Sequence, residues 1–532
     1  MEIFILYKVV RLLLLVGALI THSTFGGILD KRLLSSSNTI VRVVEITSED
    51  DSSGAKTNSI PTFPQFVSLP TENITAGNEG KTLTGAYQCN LSQTLIDEIR
   101  GYQTVANKIF KTLLTGSFKG RTYSELAYFV DRFGSRLAGS QNLENAIDYM
   151  LDKMTQDGLE NVHGEEVNIP HWVRGEESAV LISPRRKKLA LLGLGYSVGT
   201  PPEGITAEAI VVTSFEDLAA KSNEVKGKIV VYNEEYISYG ETVKYRGNGA
   251  SEASKFGAVA SLIRSITPFS INSPHTGMQS YQENVTKIPT ACITIEDAEL
   301  LHRMQQRGEK LIIQLKMNDT NLPSVTSRNA IAEIIGREKP EEVVVVSGHI
   351  DSWDVGQGAM DDGGGMIMSV EALALIKFLG LKPRRTLRAI LWTTEEFGLI
   401  GVQDYVKKHA NDMDKFATVF ESDIGTFRPL GLDYSGSDEG GCILQEVLKL
   451  MSPINAMTYR KQAEVGSDIG YFIEKGVPGV SLNTENKGYF YYHHSEGDTM
   501  TVENSDELDL CTAVWATASY VLADLSVTIP RS

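Results

Sequence analysis

Val343-Val-Val-Val346-Ser-Gly-His349-Ile-Asp351-Ser-Trp-Asp-Val-Gly-Gln-Gly358-Ala-Met-Asp361-Asp362-Gly-Gly-Gly365 runs from an apolar segment through charged residues into a glycine triplet. Four consecutive valines predict a strand covered on both faces, since a half-exposed strand would alternate apolar with polar. From Gly365 to Leu379 the spacing of Ile367, Val370, Leu373, Ala374 and Lys377 predicts an amphipathic helix. Leu387–Trp392 and Phe416–Phe420 predict the next two strands. Strand alternating with helix predicts an α/β fold with a mostly parallel-centred mixed sheet flanked by helices.

Upstream the character changes twice. From Leu91 to Leu151 the pattern is helical, with Leu95, Ile96, Ile99 and Tyr102 on one face and Leu126, Phe129, Val130 and Phe133 on another. Gly134-Ser-Arg-Leu-Ala-Gly139 reads as a break between helices. Residues 174–324 hold short β-rich runs such as Ala179–Ile182, Ala209–Val212 and Lys228–Tyr232, with no cluster of chemistry-bearing residues. This block is predicted to be a β-rich inserted domain. The main α/β domain then comprises residues 93–173 and 325–532.

Composition narrows the function classes. In 532 residues, Asp+Glu 67 exceed Lys+Arg 50, for a net charge of -17. That balance argues against a nucleic-acid partner, which requires a basic face. Hydrophobic residues at 42% and charged residues at 22% exclude a mostly disordered, collagenous or multi-span membrane chain.

Residues 1–25 read as a secretory signal peptide. Lys8 and Arg11 precede the apolar run Leu12–Ile20, which is too short to span a bilayer, and small and polar residues follow. No membrane association is expected once it is removed. Residues 26–92, rich in Ser, Thr and Asn, are predicted to be a leader or pro-segment. Asn73, Asn90, Asn284 and Asn318 each begin an N-x-S/T sequon, which behind a signal peptide predicts a glycoprotein passing through the endoplasmic reticulum and Golgi apparatus. Cys89, Cys292, Cys442 and Cys511 allow three pairings, or free buried thiols, and spacing does not choose.

Polar residues gather where the predicted strands end. His349 and Asp351 follow the first strand, Glu395 and Glu396 the second, Glu421 and Asp423 the third. In a parallel sheet these carboxyl ends share the edge that binds ligands. Asp361-Asp362 and His493-His494 add candidates from loops. So many carboxylates repel one another unless a cation lies between them. Oxygen ligands with one or two imidazoles suit Zn²⁺ with open positions, and the carboxylate number favours two ions over one. Asp351, two residues from His349, is expected to orient its ring, and Asp361 to bridge. Of Glu395 and Glu396, one ligates and the other serves as general base.

His349-Ile-Asp351-Ser-Trp, Gly358-Ala-Met-Asp361-Asp-Gly-Gly-Gly, Thr394-Glu395-Glu396-Phe-Gly, Glu421-Ser-Asp423 and His494-Ser-Glu-Gly-Asp498-Thr, in that order and spacing, resemble the two-zinc exopeptidase family of aminopeptidases and glutamate carboxypeptidases. The likeness extends from about Leu91 onward. It implies one zinc on His349 and Asp423, a second on Glu396 and His494, and Asp361 between them. It also implies Glu395 as general base and Asp351 as its supporting aspartate. His494 is chosen over His493 because the family's ligand lies four residues before the Asp-Thr, here Asp498-Thr499. The resemblance further implies that the 174–324 insert is protease-associated-like, and that the protein is a secreted or lysosomal homodimer hydrolysing dipeptides with free termini. An aminopeptidase on longer peptides, a glutaminyl-cyclase-like transferase and a non-catalytic receptor-like protein are the alternatives on this fold. Tyr491 and Tyr492 are candidates for lining the substrate pocket.

Overall fold

The computed structural model describes residues 89–486 and 488–531. The predicted signal peptide, nearly all of the leader and the Asn73 sequon lie outside them. The described chain builds two eight-stranded mixed sheets with helices packed on them.

Across the first sheet the order is Glu160–Val173, Thr320–Ile334, Arg385–Trp392, Lys339–His349, Phe416–Glu421, Gly479–Thr484, Pro429–Ser435, Thr458–Lys461. The middle four are mutually parallel, and antiparallel pairs flank them. The valine run lies at the centre. Val344 and Val346 enter one apolar core, whereas Val343 and Val345 enter another on the opposite face with Tyr405, Phe416 and Phe472. A continuous apolar run is what a strand buried on both sides requires.

The helix after the glycine triplet spans Gly364–Phe378 and departs from the amphipathic expectation. Every residue from Gly364 to Ile376 is buried, because the sheet covers one side and the Ser505–Asp524 helix another. A helix enclosed in this way is apolar nearly all round. Its polar residues are matched: Trp515 Nε1 donates to Ser369 Oγ at 3.0 Å, and Glu371 pairs with Lys153 at 2.8 Å and Arg121 at 2.7 Å.

The chain leaves the first sheet at Val173 and returns at Thr320, two residues paired directly across antiparallel strands. Between them lies the second sheet, ordered Lys187–Leu189, Glu177–Ser183, Ile312–Met317, Ile205–Val212, Ile229–Tyr232, Ala260–Arg264, Thr290–Ile293, Leu191–Gly193. Its apolar core is separate. Asn90, Asn284 and Asn318 are exposed. Among the described residues no helix is long and apolar enough to cross a membrane.

Cys89 is bonded to Cys442, and Cys292 and Cys511 are free and buried. The bond closes a loop of sequence separation 353 and ties the start of the described chain to the Asp438–Leu448 helix. Loop-closure entropy for so long a loop is worth about 6 kcal/mol in the chain-entropy relation, of which disulfides in practice deliver about 2–5 kcal/mol. Cys89→Ser is therefore expected to lower the urea midpoint by the equivalent of about 2–5 kcal/mol. An unchanged midpoint would show that the crosslink does not constrain the unfolded chain.

Candidate metal centre

The parallel centre of the first sheet brings three strand ends to one edge, and the loops beyond them carry the predicted site. His349 is the last residue of its strand and is fully buried. Its Nε2 lies 3.3 Å from Asp361 Oδ1 and 3.3 Å from Asp423 Oδ1. The other oxygen of Asp361, Oδ2, lies 3.4 Å from His494 Nε2 and 3.6 Å from His493 Nε2. His494 Nε2 is also 2.9 Å from Glu396 Oε2. Asp361 therefore stands between two groups, one imidazole-carboxylate set on each of its oxygens. Ligand atoms of His349, Asp361 and Asp423 lie within 4.8 Å of one another, as do those of Asp361, His493 and His494.

The two histidine rings stack, with centroids 3.5 Å apart, so distance alone does not separate His494 from His493. His494 is the one in contact with Glu396. Glu395, the neighbour of Glu396 in the chain, is half-buried. Tyr491 and Tyr492 are 38% and 37% exposed, and Tyr491 packs on Phe269 rather than on the carboxylate cluster.

Local structure explains why these side chains converge. Asp351 acts differently from the expectation of a ring-orienting carboxylate alone. Its Oδ1 accepts from Glu395 N at 2.9 Å and its Oδ2 from Glu396 N at 3.3 Å, with His349 Nδ1 3.6 Å from Oδ1. The His349 ring is closer to the Asp351 carbonyl oxygen, at 3.1 Å. One buried carboxylate thus fixes the turn that presents both glutamates. Asp362 turns away from the cluster and accepts from His349 N and Gly365 N, each at 3.1 Å. The glycine triplet is steric: a Cβ on Gly365 would stand 2.0 Å from the Ser422 carbonyl oxygen.

Comparison with known proteins gives the family and the fold. Residues 329–519 match the profile of the family described as Peptidase family M28. Carboxypeptidase Q of Xenopus laevis is 54% identical over 452 residues, covering 84% of this chain and 96% of the relative. The human carboxypeptidase Q is 54% identical over 436 residues, 82% of this chain and 92% of its own. This chain belongs to peptidase family M28. A crystal structure of a peptidase M28 precursor from Shewanella amazonensis superposes with TM-score 0.78 at 32% identity, covering 82% of this chain and 99% of the other. A zinc aminopeptidase from Bacillus subtilis, 21% identical with TM-score 0.61 over 78% and 97% of the two chains, shares the fold.

The donor set of this M28 chain fits a divalent cation. Asp361 Oδ2 is buried without a hydrogen-bond partner. Burial, with Asp361 and Glu395 nearby, pushes Glu396 well above the usual carboxylate range. Burial also pushes Glu395 well up, helped by Asp423, Asp351 and Asp361 against the opposing His349. Buried carboxyls with such crowding hold protons unless a cation replaces them.

Sequence reasoning missed four supporting residues. Asp498, quoted in a motif without a role, accepts from Ala359 N, Met360 N and Asp361 N at 3.0, 2.7 and 3.2 Å, and so holds the loop that presents Asp361. Arg136, inside the 134–139 break, is fully buried and donates to the carbonyls of Ile350, Gln357 and Gly358. Nothing in spacing marks it, since these three partners lie 214, 221 and 222 residues further along the chain. Thr276 and His275 come from the second sheet's segment, to which no chemistry had been assigned. Thr276 N donates to His494 O at 2.9 Å, and Thr276 O lies 3.2 Å from His494 Nδ1. His275 Nδ1 lies 2.6 Å from His493 O.

The sign of the pH dependence follows from His349. Burial opposes its protonation, yet hydrogen bonds to Asp351, Asp361 and Asp423 hold it well above the ordinary histidine value. In the metal-free protein that proton must leave before the ring ligates. Zinc affinity is therefore expected to rise with pH and to go on rising above the ordinary histidine value of about 6.5, with protons released on binding. Calorimetric titration in buffers of different ionisation enthalpy reads both quantities. Affinity independent of pH would contradict His349 as a ligand.

Proposed function

We propose that this M28 chain, a zinc-dependent metallo-exopeptidase, binds two zinc ions per chain and hydrolyses dipeptides with free termini. His349 and Asp423 would hold one ion, Glu396 and His494 the other, with Asp361 bridging. The observation that carries this reading is the division of Asp361, one oxygen toward His349 and the other toward His494. When bound, zinc lowers the pKa of water and polarises a carbonyl oxygen. Glu395 acts as general base and then general acid, taking a proton from the attacking water and returning it to the leaving amine. Asp351 keeps the Glu395 carboxyl in place through the Glu395 and Glu396 backbone N–H groups. Trp353 Nε1 donates to Glu396 Oε2 at 2.6 Å, which orients the glutamate toward His494.

The wider reading treats 93–173 and 325–532 as the peptidase domain, 174–324 as a protease-associated-like insert, and 26–92 as a leader or pro-segment whose last residues stay joined to the body through Cys89–Cys442. A glycosylated, secreted or lysosomal homodimer completes it. Exposed Asn90, Asn284 and Asn318 and the Cys89–Cys442 bond support the oxidising route. The names carried by the carboxypeptidase Q relatives support the substrate class.

The test is hydrolysis of an unblocked dipeptide panel by the mature zinc-loaded protein, beside N-acetylated and C-amidated forms. Cleavage of the unblocked forms alone is expected. Equal cleavage of the C-amidated forms would make the protein an aminopeptidase. No turnover with zinc bound would favour the receptor-like reading.

A further inference from the structure

Gly195 and Tyr196 lie just beyond the Leu191–Gly193 strand of the second sheet, and both rest against the loops that carry the glutamates of the first. Tyr196 OH donates to Phe397 O at 3.0 Å, and its ring meets the Phe397 ring edge-on with centroids 5.1 Å apart. Phe397 directly follows Glu396 and is buried. Gly195 packs on the Trp353 ring, where a Cβ would stand 2.5 Å from Trp353 Cη2. The Trp353 and Phe397 rings pack together at 5.0 Å, and Trp353 Nε1 is the donor to Glu396. Two neighbouring residues of the second sheet's layer thus touch two supports of the Glu395–Glu396 turn.

The backbone on both sides of this contact is strained. Thr394, directly before Glu395, adopts φ 61, and Tyr196 adopts φ 68. A β-branched or bulky residue persists in the left-handed region only where its surroundings over-determine it. On the first side Gly398 N and Leu399 N both donate to Glu395 O at 2.8 Å, and Ile400 N donates to Thr394 O at 3.1 Å. On the second side Gly195 N donates to Gly277 O at 3.0 Å, Gln279 N to Gly195 O at 3.3 Å and Asn321 Nδ2 to Tyr196 O at 3.3 Å. Each segment is fixed within its own layer, and the Tyr196 hydroxyl joins the two. Burial pushes that hydroxyl up to about 12, so it stays a donor through the neutral range. The glutamate turn is therefore gripped through its N–H groups by Asp351 and through a carbonyl by Tyr196.

We infer that Tyr196 is a positioning residue that sets the direction of the Glu395 carboxyl through the Phe397 carbonyl, and that Gly195 seats the Trp353 ring that aims Glu396. The part that concerns Glu395 rests on the exopeptidase reading, whereas the part that concerns Glu396 needs only a metal. The second sheet is then a working part of the site: a layer that supplies neither a metal ligand nor the general base fixes the aim of both glutamates.

Tyr196→Phe keeps the ring and removes one hydroxyl. In the zinc-loaded protein it is expected to lower kcat on a cleaved dipeptide about 10–100-fold, with KM within about 2-fold and zinc per chain unchanged. Tyr232→Phe removes the same kind of bond inside the second sheet's own layer, a hydroxyl on the Gly249 carbonyl at 2.8 Å, and is expected to leave kcat unchanged. Gly195→Ala is expected to push Trp353 off Glu396 and to weaken the ion that Glu396 holds about 10–100-fold, read by calorimetric zinc titration without turnover. Wild-type kcat in Tyr196→Phe, zinc loss in that variant, an equal loss of kcat in Tyr232→Phe, or unchanged zinc affinity in Gly195→Ala would overturn the inference. A wild-type protein that binds zinc and cleaves no dipeptide would instead sink the exopeptidase reading, and the zinc affinity of Gly195→Ala would still decide the inference.

Discussion

Glu395→Gln is expected to lower kcat by about 10²–10⁴-fold while both zinc ions stay bound, because the substitution removes proton transfer and little else. Gln has the shape of Glu, and the backbone N–H that Asp351 accepts is unchanged. None of the five imidazole-carboxylate contacts around Asp361 involves Glu395. Both ions are therefore expected to keep their ligands. The checks are steady-state kinetics on a cleaved dipeptide and zinc per chain by elemental analysis. Near-wild-type kcat would remove Glu395 from the general-base role. Lost zinc would reassign it to the metal.

Asp361→Asn is expected to act on the metal itself. Asp361 is 4% exposed and is the one carboxylate that faces both histidine groups. An amide keeps the volume and the backbone N–H that Asp498 accepts, so the loop retains its support. It supplies only one oxygen and no charge. Residues that merely orient ligands cost 10–100-fold in metal affinity, so a bridging ligand should cost at least about 100-fold for one of the two ions. Zinc is expected to fall from two per chain to one or fewer after dialysis, with activity falling in parallel. Two retained zinc ions would contradict the bridging role.

The two substitutions discriminate because they separate proton transfer from metal binding at groups in the same cluster. The first should lose rate and keep metal, whereas the second should lose metal first. If both lost zinc equally, the division of labour between Glu395 and Asp361 would be wrong, even though the site would still be metallic.

Much of this was legible in the chain because it is local. Val343–Val346 announces a doubly covered strand through composition alone, and the residues that follow each central strand must lie at one edge once the strands are parallel. The motifs carried by His349, Asp361, Glu395, Glu396, Asp423 and His494 were therefore readable in order. The periodicity of residues 364–378 misled, because helical spacing reports the helix but not how many neighbours enclose it. Here the Ser505–Asp524 helix covers the side expected to meet solvent.

What tertiary structure alone decided are the contacts between residues far apart in the chain. Asp351 could be placed near His349 by spacing, but its grip on the Glu395–Glu396 turn depends on how two strand ends face each other. Asp498 beneath the Asp361 loop, Arg136 across three carbonyls and the Cys89–Cys442 bond have no local pattern. Tyr196 and Thr276 belong to a segment with no visible chemistry, and they reach the Glu395–Glu396 turn and His494 only because the second sheet packs its loops against the first. The physical reason is the same throughout. The candidate ligands are legible as short motifs because most sit at a strand end or in a loop beside one, whereas the groups that orient them need only a filled position in space, and any element that folds past that position can supply it.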